Sequence, residues 1–347
     1  MKFRTWLNII TILFLALAIY LARHQIVQAW MLLGKVDLRI FLLMIPIQLF
    51  SYFAIGEVMF SYLRAKGDLK KMSRWTMARI ALELNFINHI IPVPTIAGFS
   101  YLGWLLNYHD VSAGRATMAQ IIRYVTMFIS YLSLILISVV FLMFDRGVDR
   151  ITIIISIVFT VTTIIAVGFL IYVIGNKQRM TVLSGWITKT INKFSSIFRP
   201  GKKYKALKLK KVDMFFMDLH QDYMEIRKDI NILKLPVIWA IVGNILDTLL
   251  IFVAFLSFGY IVNPAVLFIA YGVSSFVAVF AATPGGSGVY EAIMITFLVS
   301  AGVPAGIAIA GTLLARVTLL AGTFIFGYIF YQLTINKYGK IEKPTSL

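Results

Sequence analysis

The sequence predicts an all-α polytopic integral membrane protein, with about six full spans plus two broken, re-entrant helical hairpins arranged as an inverted repeat. Three observations carry this. The 347 residues are 60% hydrophobic and only 14% charged, where a soluble domain carries roughly 25% charged residues. The charges are bunched between long apolar runs, each about long enough to cross a ~30 Å hydrocarbon core. Two further apolar stretches are too long for one span, and each is interrupted in its middle by proline and glycine. Alternating segments of about ten residues, the mark of a membrane β-barrel, are absent.

Taken in chain order, the opening "MKFRTWLNIITILFLALAIYLARHQ" has the look of a signal peptide, with Ala16-Leu17-Ala18 as an A-x-A site. Its apolar run continues to Ala22, so the expectation is an uncleaved first span over 6–22, with Lys2 and Arg4 inside. Full spans follow over 40–63, 116–143, 151–175, 235–259 and 305–333. The awkward stretches are 80–108, broken by Pro92 and Pro94, and 264–302, broken by Pro284-Gly285-Gly286.

The loops fix how these two stretches behave. Basic residues crowd the loop 63–79, the segment 176–234 and the tail, with Lys337, Lys340 and Lys343. Cytoplasmic loops carry the excess of Lys and Arg, so the N- and C-termini and all three basic regions are expected in the cytoplasm. That arrangement requires each broken stretch to cross an even number of times, as a re-entrant hairpin or as a pair of short helices. Its break then lies at membrane depth, which is tolerated only where backbone is buried in protein or lines a cavity. The chain divides accordingly into a first membrane half (1–175), a basic cytoplasmic segment (176–234) and a second membrane half (235–347).

The cytoplasmic segment has its own periodicity. Val182, Trp186, Ile187, Ile191, Phe194 and Phe198 share one helical face, and so do Val212, Phe215, Leu219, Tyr223, Ile226, Ile230 and Leu233. Two amphipathic helices are predicted, packed on each other or on the bilayer face, with the lysine cluster as a candidate for gathering anionic headgroups.

The two broken stretches resemble each other. Pro94 and Gly98 have the spacing of Pro284 and Gly288, and "VSAGRATMAQIIRYV" (111–125) aligns with "VPAGIAIAGTLLARV" (303–317). One stretch enters from the cytoplasm and the other from outside, the inverted plan of transporters with a midplane site.

Several classes are excluded. The net charge of +18 suggests no nucleic-acid partner, because the basic residues sit in loops where topology puts them. There is no cysteine, so there are no disulfides or thiolate metal sites, and the four histidines lack ligand spacing. No nucleophile–base pair stands out and no P-loop or Rossmann glycine pattern occurs, so neither an enzyme nor a cofactor is expected.

The candidate site is Pro284, Gly285, Gly286, Ser287, Gly288 and Glu291. Proline ends one half-helix, and glycines allow a sharp turn and close backbone approach. The next helix begins near Gly288, and its N–H groups suit a phosphate. The glycines admit another account, tight helix packing alone. Glu291 in hydrocarbon costs about 3 kcal/mol or more unless paired. Arg316, about 18 Å into its span, is the partner of matching depth; Asp247 lies at similar depth, and Arg123 about a third of the way into its own span. The arginines are candidates to hold a lipid phosphate while Glu291 and Asp247 balance charge, bind a cationic headgroup or carry a proton. The same four residues would also serve as a purely structural ion-pair network. Asn88, Pro92 and Gly98 complete the site at the first break. Glu57, with Arg64 two turns on, reads as a surface charge that snorkels.

Pro284-Gly285-Gly286-x-Gly288-x-x-Glu291, followed about 25 residues later by Arg316, resembles the lysylphosphatidylglycerol synthase transmembrane family, as does Asn88 with Pro92 and Gly98. That family usually has a glycine pair where this chain has Ala97-Gly98. The resemblance covers nearly the whole chain. It implies a flippase-like member without the soluble synthase domain, and therefore no lipid lysylation. It also implies movement of a phospholipid or lipid-linked sugar headgroup between leaflets of the cell membrane. The expected partners are membrane lipids, anionic phospholipid or polyprenyl-phosphate-linked, and a homo-oligomer or a glycosyltransferase. The alternative is a non-transporting scaffold that binds lipid-linked substrates for that glycosyltransferase.

Overall fold

Hydrocarbon offers no hydrogen-bond partner to a backbone, so a chain this apolar must close its N–H and C=O bonds within each segment. A computed structural model of the protein describes residues 34–90, 94–143, 150–198, 209–279 and 286–338, together with Tyr20, Arg23, Val27 and Met31, some side chains within these helices excepted. Every regular element among the described residues is helical. Most of the expected first span, Pro92, Pro284, Gly285, Lys340 and Lys343 lie outside the described residues.

A short helix α1 (Leu38–Leu42) leads into α2 (Met44–Ala65). Helices α3 (Arg74–Ile90) and α4 (Pro94–Asn107) form the first hairpin, then come α5 (Ala113–Met143) and α6 (Arg150–Ile174). Next are α7 (Lys177–Phe198), α8 (Leu209–Lys228) and a 3-10 turn over Ile230–Leu233. Helix α9 (Lys234–Leu256), the second hairpin α10 (Pro264–Val279) with α11 (Val289–Ser300), and α12 (Ala305–Tyr338) complete the chain. Among the described residues four segments are long and apolar enough to cross a membrane: Leu38–Ala65, Ala113–Leu142, Ile230–Leu256 and Ala305–Tyr338. The expected span 151–175 forms the 25-residue α6. Both awkward stretches fold as two helices each, α3–α4 and α10–α11. Proline opens α4 and α10, at a position where its missing N–H costs nothing.

The four long helices pack on one another through α2, α5, α9 and α12. The first hairpin lies against α2, α5 and α12, the second against α5 and α12, and α6 sits outside on α5. Each hairpin begins and ends at one end of the bundle. At the basic end, Arg115 before the bulk of α5 pairs with Asp68 after α2 at 3.4 Å, and Tyr338 of α12 meets His109 after α4 at 3.3 Å. At the other end the Asp37 N–H donates to the Ser257 carbonyl, and Val262, Leu298 and Val303 share one apolar cluster. Between this cluster and the one at the basic end, built on Phe60, Leu84, Leu105 and Ala119, runs a belt of buried polar side chains. It includes Gln48 and Ser51 of α2, Gln120 and Thr126 of α5, Asn244 and Thr248 of α9, and Thr312 and Arg316 of α12.

Two expectations for the basic segment need correction. Helix α8 stops at Lys228, because the Asp229 carboxylate accepts from the Asn231 N–H and starts the 3-10 turn. The helical register is lost there, and Ile230 is 71% exposed and leaves the shared face. Helix α7 packs on α8 not through Val182 and Trp186 but through the opposite stripe of Met180, Ser184 and Thr188, with Ser184 Oγ donating to Asp213 at 3.0 Å. The basic loop is also shorter than expected, since α3 begins at Arg74.

Candidate functional site

The tip of the second hairpin shows two distinct uses of glycine. Gly286 has φ +70, and a Cβ there would fall 2.5 Å from the Cβ of Ala278 on α10. It is a packing glycine as well as a turning one. Gly288 has φ +88 with nothing within 4 Å, so it serves the turn alone. The left-handed conformation costs other residues about 1–2 kcal/mol.

Glu291 sits at the third position of α11 and reaches back. Its Oε2 accepts the Gly288 N–H at 2.6 Å, and its Oε1 accepts from Arg316 Nε at 3.1 Å. One carboxylate thus caps α11 and pairs with α12. This alters the expectation for the helix start: the Gly288 N–H, offered by the sequence as a phosphate donor, is occupied by the protein's own carboxylate. The pair is buried, with Glu291 4% and Arg316 8% exposed. The Arg316 guanidinium also lies 4.8 Å from the Tyr290 ring centre, where the π face favours a cation. Ser287 is half-buried and Gly288 exposed, so the pair lies just beneath the tip's surface.

Tyr290 leads to the second carboxylate. Its ring meets Tyr271 of α10 edge-on at 6.3 Å, and Tyr271 Oη donates to Asp247 Oδ2 at 3.1 Å. The hydroxyl of Ser51 donates to the other Asp247 oxygen. Asp247 therefore belongs to the site, but two hydroxyls hold it rather than an arginine. Nearby, Asn244 donates to the Met127 carbonyl at 3.0 Å and to Ser130 at 3.1 Å, which ties α9 to α5.

Arg123 is the exception among these charges. Ten residues into α5, it lies about 15 Å from the helix start. Its bonds are a 3.5 Å contact to Gln120 Oε1 and a ring contact with Tyr124 at 5.5 Å. Asp247 is within its electrostatic reach, but no carboxylate makes a close ion pair with it among the described residues. His89, the penultimate residue of α3, is within electrostatic reach of both Arg123 and Arg316. Its Nδ1 donates to the Asn85 carbonyl at 2.8 Å; a carbonyl only accepts, so Nδ1 carries the proton and Nε2 is an acceptor. Thr312, one turn before Arg316, and Gln120, one turn before Arg123, each keep a buried polar atom without a hydrogen-bond partner among the described residues.

At the first hairpin, Asn88 and Gly98 come together, since a Cβ on Gly98 would lie 2.3 Å from Asn88 Oδ1. That buried oxygen has no hydrogen-bond partner among the described residues. Gly98 thus brings α4 against α3. Glu83 deeper in α3 is fully buried and held by Tyr101 at 2.6 Å, Thr334 at 2.8 Å and Arg79 at 3.3 Å, which fastens the hairpin to α12. Glu57 is not the surface charge expected. It is buried and takes both guanidinium nitrogens of Arg64.

Of the residues singled out, Gly286, Ser287, Gly288, Glu291, Arg316 and Asp247 form one connected group. Arg123 is in electrostatic reach, Asn88 and Gly98 form the first hairpin's contact, and Pro284, Gly285 and Pro92 lie outside the described residues. Sequence reasoning missed Tyr290, Tyr271 and Ser51. Their signal was slight, a hydroxyl at the depth of an ionisable residue. No group of three His, Asp or Glu among the described residues is placed to hold a metal ion.

No curated protein and no solved structure matches the chain. The family model described as "Lysylphosphatidylglycerol synthase TM region" matches residues 8–327, nearly the whole length. The glycine tip, the carboxylate that caps its helix and the arginine paired with it all lie inside that match: the chain belongs to the lysylphosphatidylglycerol synthase transmembrane-region family.

Proposed function

We propose that the protein is a lipid flippase-like transporter that moves a phospholipid or lipid-linked sugar headgroup between leaflets through the polar belt. Membership of the family places the chain among membrane proteins of lipid-related processes. The observation that carries the finer reading is Arg123. A charged side chain at this depth costs about 3 kcal/mol or more without a counter-charge; Asp247 is within electrostatic reach, but no carboxylate makes a close ion pair with Arg123 among the described residues. A lipid phosphate is an anion that would reach it from the bilayer. Arg316 is neutralised by Glu291, which leaves Arg123 and the polar atoms of Gln120 and Thr312 that are unsatisfied among the described residues for the headgroup. The two hairpins, open to opposite ends, would act as the halves of an inverted repeat with the basic end in the cytoplasm, and rocking of one half against the other would give alternating access.

One observation favours a second reading, a scaffold that binds lipid-linked substrates for a partner glycosyltransferase. Glu291 and Arg316 are sealed by protein, at 4% and 8% exposed, as an immobile ion pair would be. Reconstitution into liposomes decides between them. With a labelled phospholipid and a labelled polyprenyl-phosphate lipid, a transporter speeds headgroup exchange for one of the two. Exchange no faster than in empty vesicles for both classes would overturn the transport reading.

A further inference from the structure

Helix α7 leaves the bundle at a fixed corner. Helix α6 ends at Ile174, whose carbonyl accepts from His220 Nδ1 of α8 at 2.7 Å. Asn176 then starts α7, its Oδ1 accepting the Gln178 N–H at 2.8 Å. Arg179 folds back, donating to the Tyr172 carbonyl at 2.8 Å with its guanidinium 3.4 Å from the Tyr172 ring centre. The corner is bonded on three sides, so the direction of α7 is set by the fold.

The outward side of α6 is apolar and exposed at Ile154, Ile157, Val161, Ile165 and Phe169, a surface suited to acyl chains. Its last turn therefore marks where hydrocarbon gives way to headgroups, and α7 starts at that level. The inner stripe of α7, Met180, Ser184 and Thr188, is buried against α8. The opposite stripe is not covered: Val182 is 72% and Trp186 63% exposed, and Lys189 follows on the same face. From Lys177 to Lys211 the chain carries eleven Lys and Arg and no Asp or Glu. An apolar stripe with tryptophan, flanked by cations alone and held at the bilayer boundary, matches the chemistry of an anionic lipid surface.

We propose that α7 is an interfacial helix whose outer stripe, Val182 and Trp186, rests in the anionic headgroup layer of the leaflet that α6 meets at Ile174. Its lysines enrich anionic lipid beside the bundle, whatever the bundle itself moves.

The absence of native cysteine makes the test direct. Single-cysteine proteins, Val182→Cys and Trp186→Cys, are spin-labelled at full length. They are placed in nanodiscs of phosphatidylcholine alone or mixed with phosphatidylglycerol. Depth is read from the relative accessibility to oxygen and to a water-soluble nickel complex. Both sites are exposed, so folding tolerates the labels. The proposal expects both labels to be oxygen-accessible and shielded from nickel in the anionic discs, and less immersed in phosphatidylcholine. It also expects Lys189→Gln to lower the equilibrium constant for immersion about fivefold, the effect of ~1 kcal/mol for one lysine near an anionic surface. Full nickel access at both sites would overturn it, and so would equal depth in the two lipids. Dipolar broadening between labels would show a second copy on this face and would overturn it too.

Discussion

Replacing Glu291 with glutamine separates its charge from its capping role. The glutamine amide would keep a carbonyl oxygen for the Gly288 N–H, now 2.6 Å from the carboxylate, and so retain most of a cap worth ~1 kcal/mol. What is lost is the charge facing Arg316 Nε at 3.1 Å. Two unit charges at that separation attract by ~5 kcal/mol at an effective dielectric of about 20. Breaking one side of a buried pair costs about 3–5 kcal/mol, because the other charge stays behind uncompensated. Glu291→Gln should therefore destabilise the bundle by about 3–5 kcal/mol, and Glu291→Ala by about 1 kcal/mol more. Removing the stranded charge as well, in Glu291→Gln with Arg316→Gln, should recover much of the loss, giving a coupling energy of up to about 3 kcal/mol. The assay is reversible unfolding in bicelles, with the four proteins closed into a double-mutant cycle. A Glu291→Gln protein within about 0.5 kcal/mol of the parent would refute the reasoning. Strictly additive losses in the double variant would refute it equally.

Other predictions follow from the same geometry. Arg123→Gln breaks no ion pair, so thermal unfolding should shift little while headgroup exchange in liposomes falls; unchanged exchange would remove Arg123 from the transport path. Gly286→Ala meets both a left-handed backbone and Ala278, and should cost about 2–4 kcal/mol. Gly288→Ala meets only the backbone term of about 1–2 kcal/mol, so unfolding measurements should rank the two in that order. Gly98→Ala presses on the end of the Asn88 side chain, whose oxygen has no hydrogen bond to lose among the described residues, and should cost about 1 kcal/mol or less. Outside the membrane, the hydrogen bond from Lys66 holds the Glu225 carboxyl below its ordinary value of 4.5. A lowered carboxylate stabilises the folded state above that ordinary value. The contribution is lost as pH falls through the lower folded one. Protection of the α8 amides, taken relative to the intrinsic exchange rate at each pH, should fall below about pH 4.5 in the parent and stay level there in Glu225→Gln.

The long spans were legible because length and hydropathy alone specify them, and the two hairpins because proline and glycine interrupt apolar runs at matched spacing. The pairing of Glu291 with Arg316 was legible by depth, since a charge in hydrocarbon seeks a counter-charge at its own level. The partners of Asp247 were not. Which neighbour a carboxylate meets depends on how its helix is rotated, and α9 is apolar on most sides, so its sequence leaves that rotation unmarked; the answer was Ser51 and Tyr271 rather than Arg123. The start of α3 was hidden for another reason. Arg74, Thr76 and Arg79 interrupt its first turns, so no long apolar run marks them, and the helix is secured there by buried Met77 and Ile80 together with the Arg79–Glu83 pair. The register of α8 broke at Asp229, where one side-chain bond overrode a regular apolar period. Arg123 was visible as an intramembrane charge, but that no carboxylate lies within ion-pair distance of it among the described residues is a fact of three dimensions.

Transport through the polar belt requires a polar route from water to the glycine tip of the second hairpin. Since the chain has no cysteine, Ser287→Cys gives one thiol, at a half-buried position beside exposed Gly288. Sealed proteoliposomes are treated with a membrane-impermeant thiol reagent from one side or the other. The account predicts labelling from at least one side, slowed by the transported lipid in the parent and not in Arg123→Gln. A thiol that stays unreactive from both sides in folded protein, yet reacts once the membrane is dissolved, would contradict it.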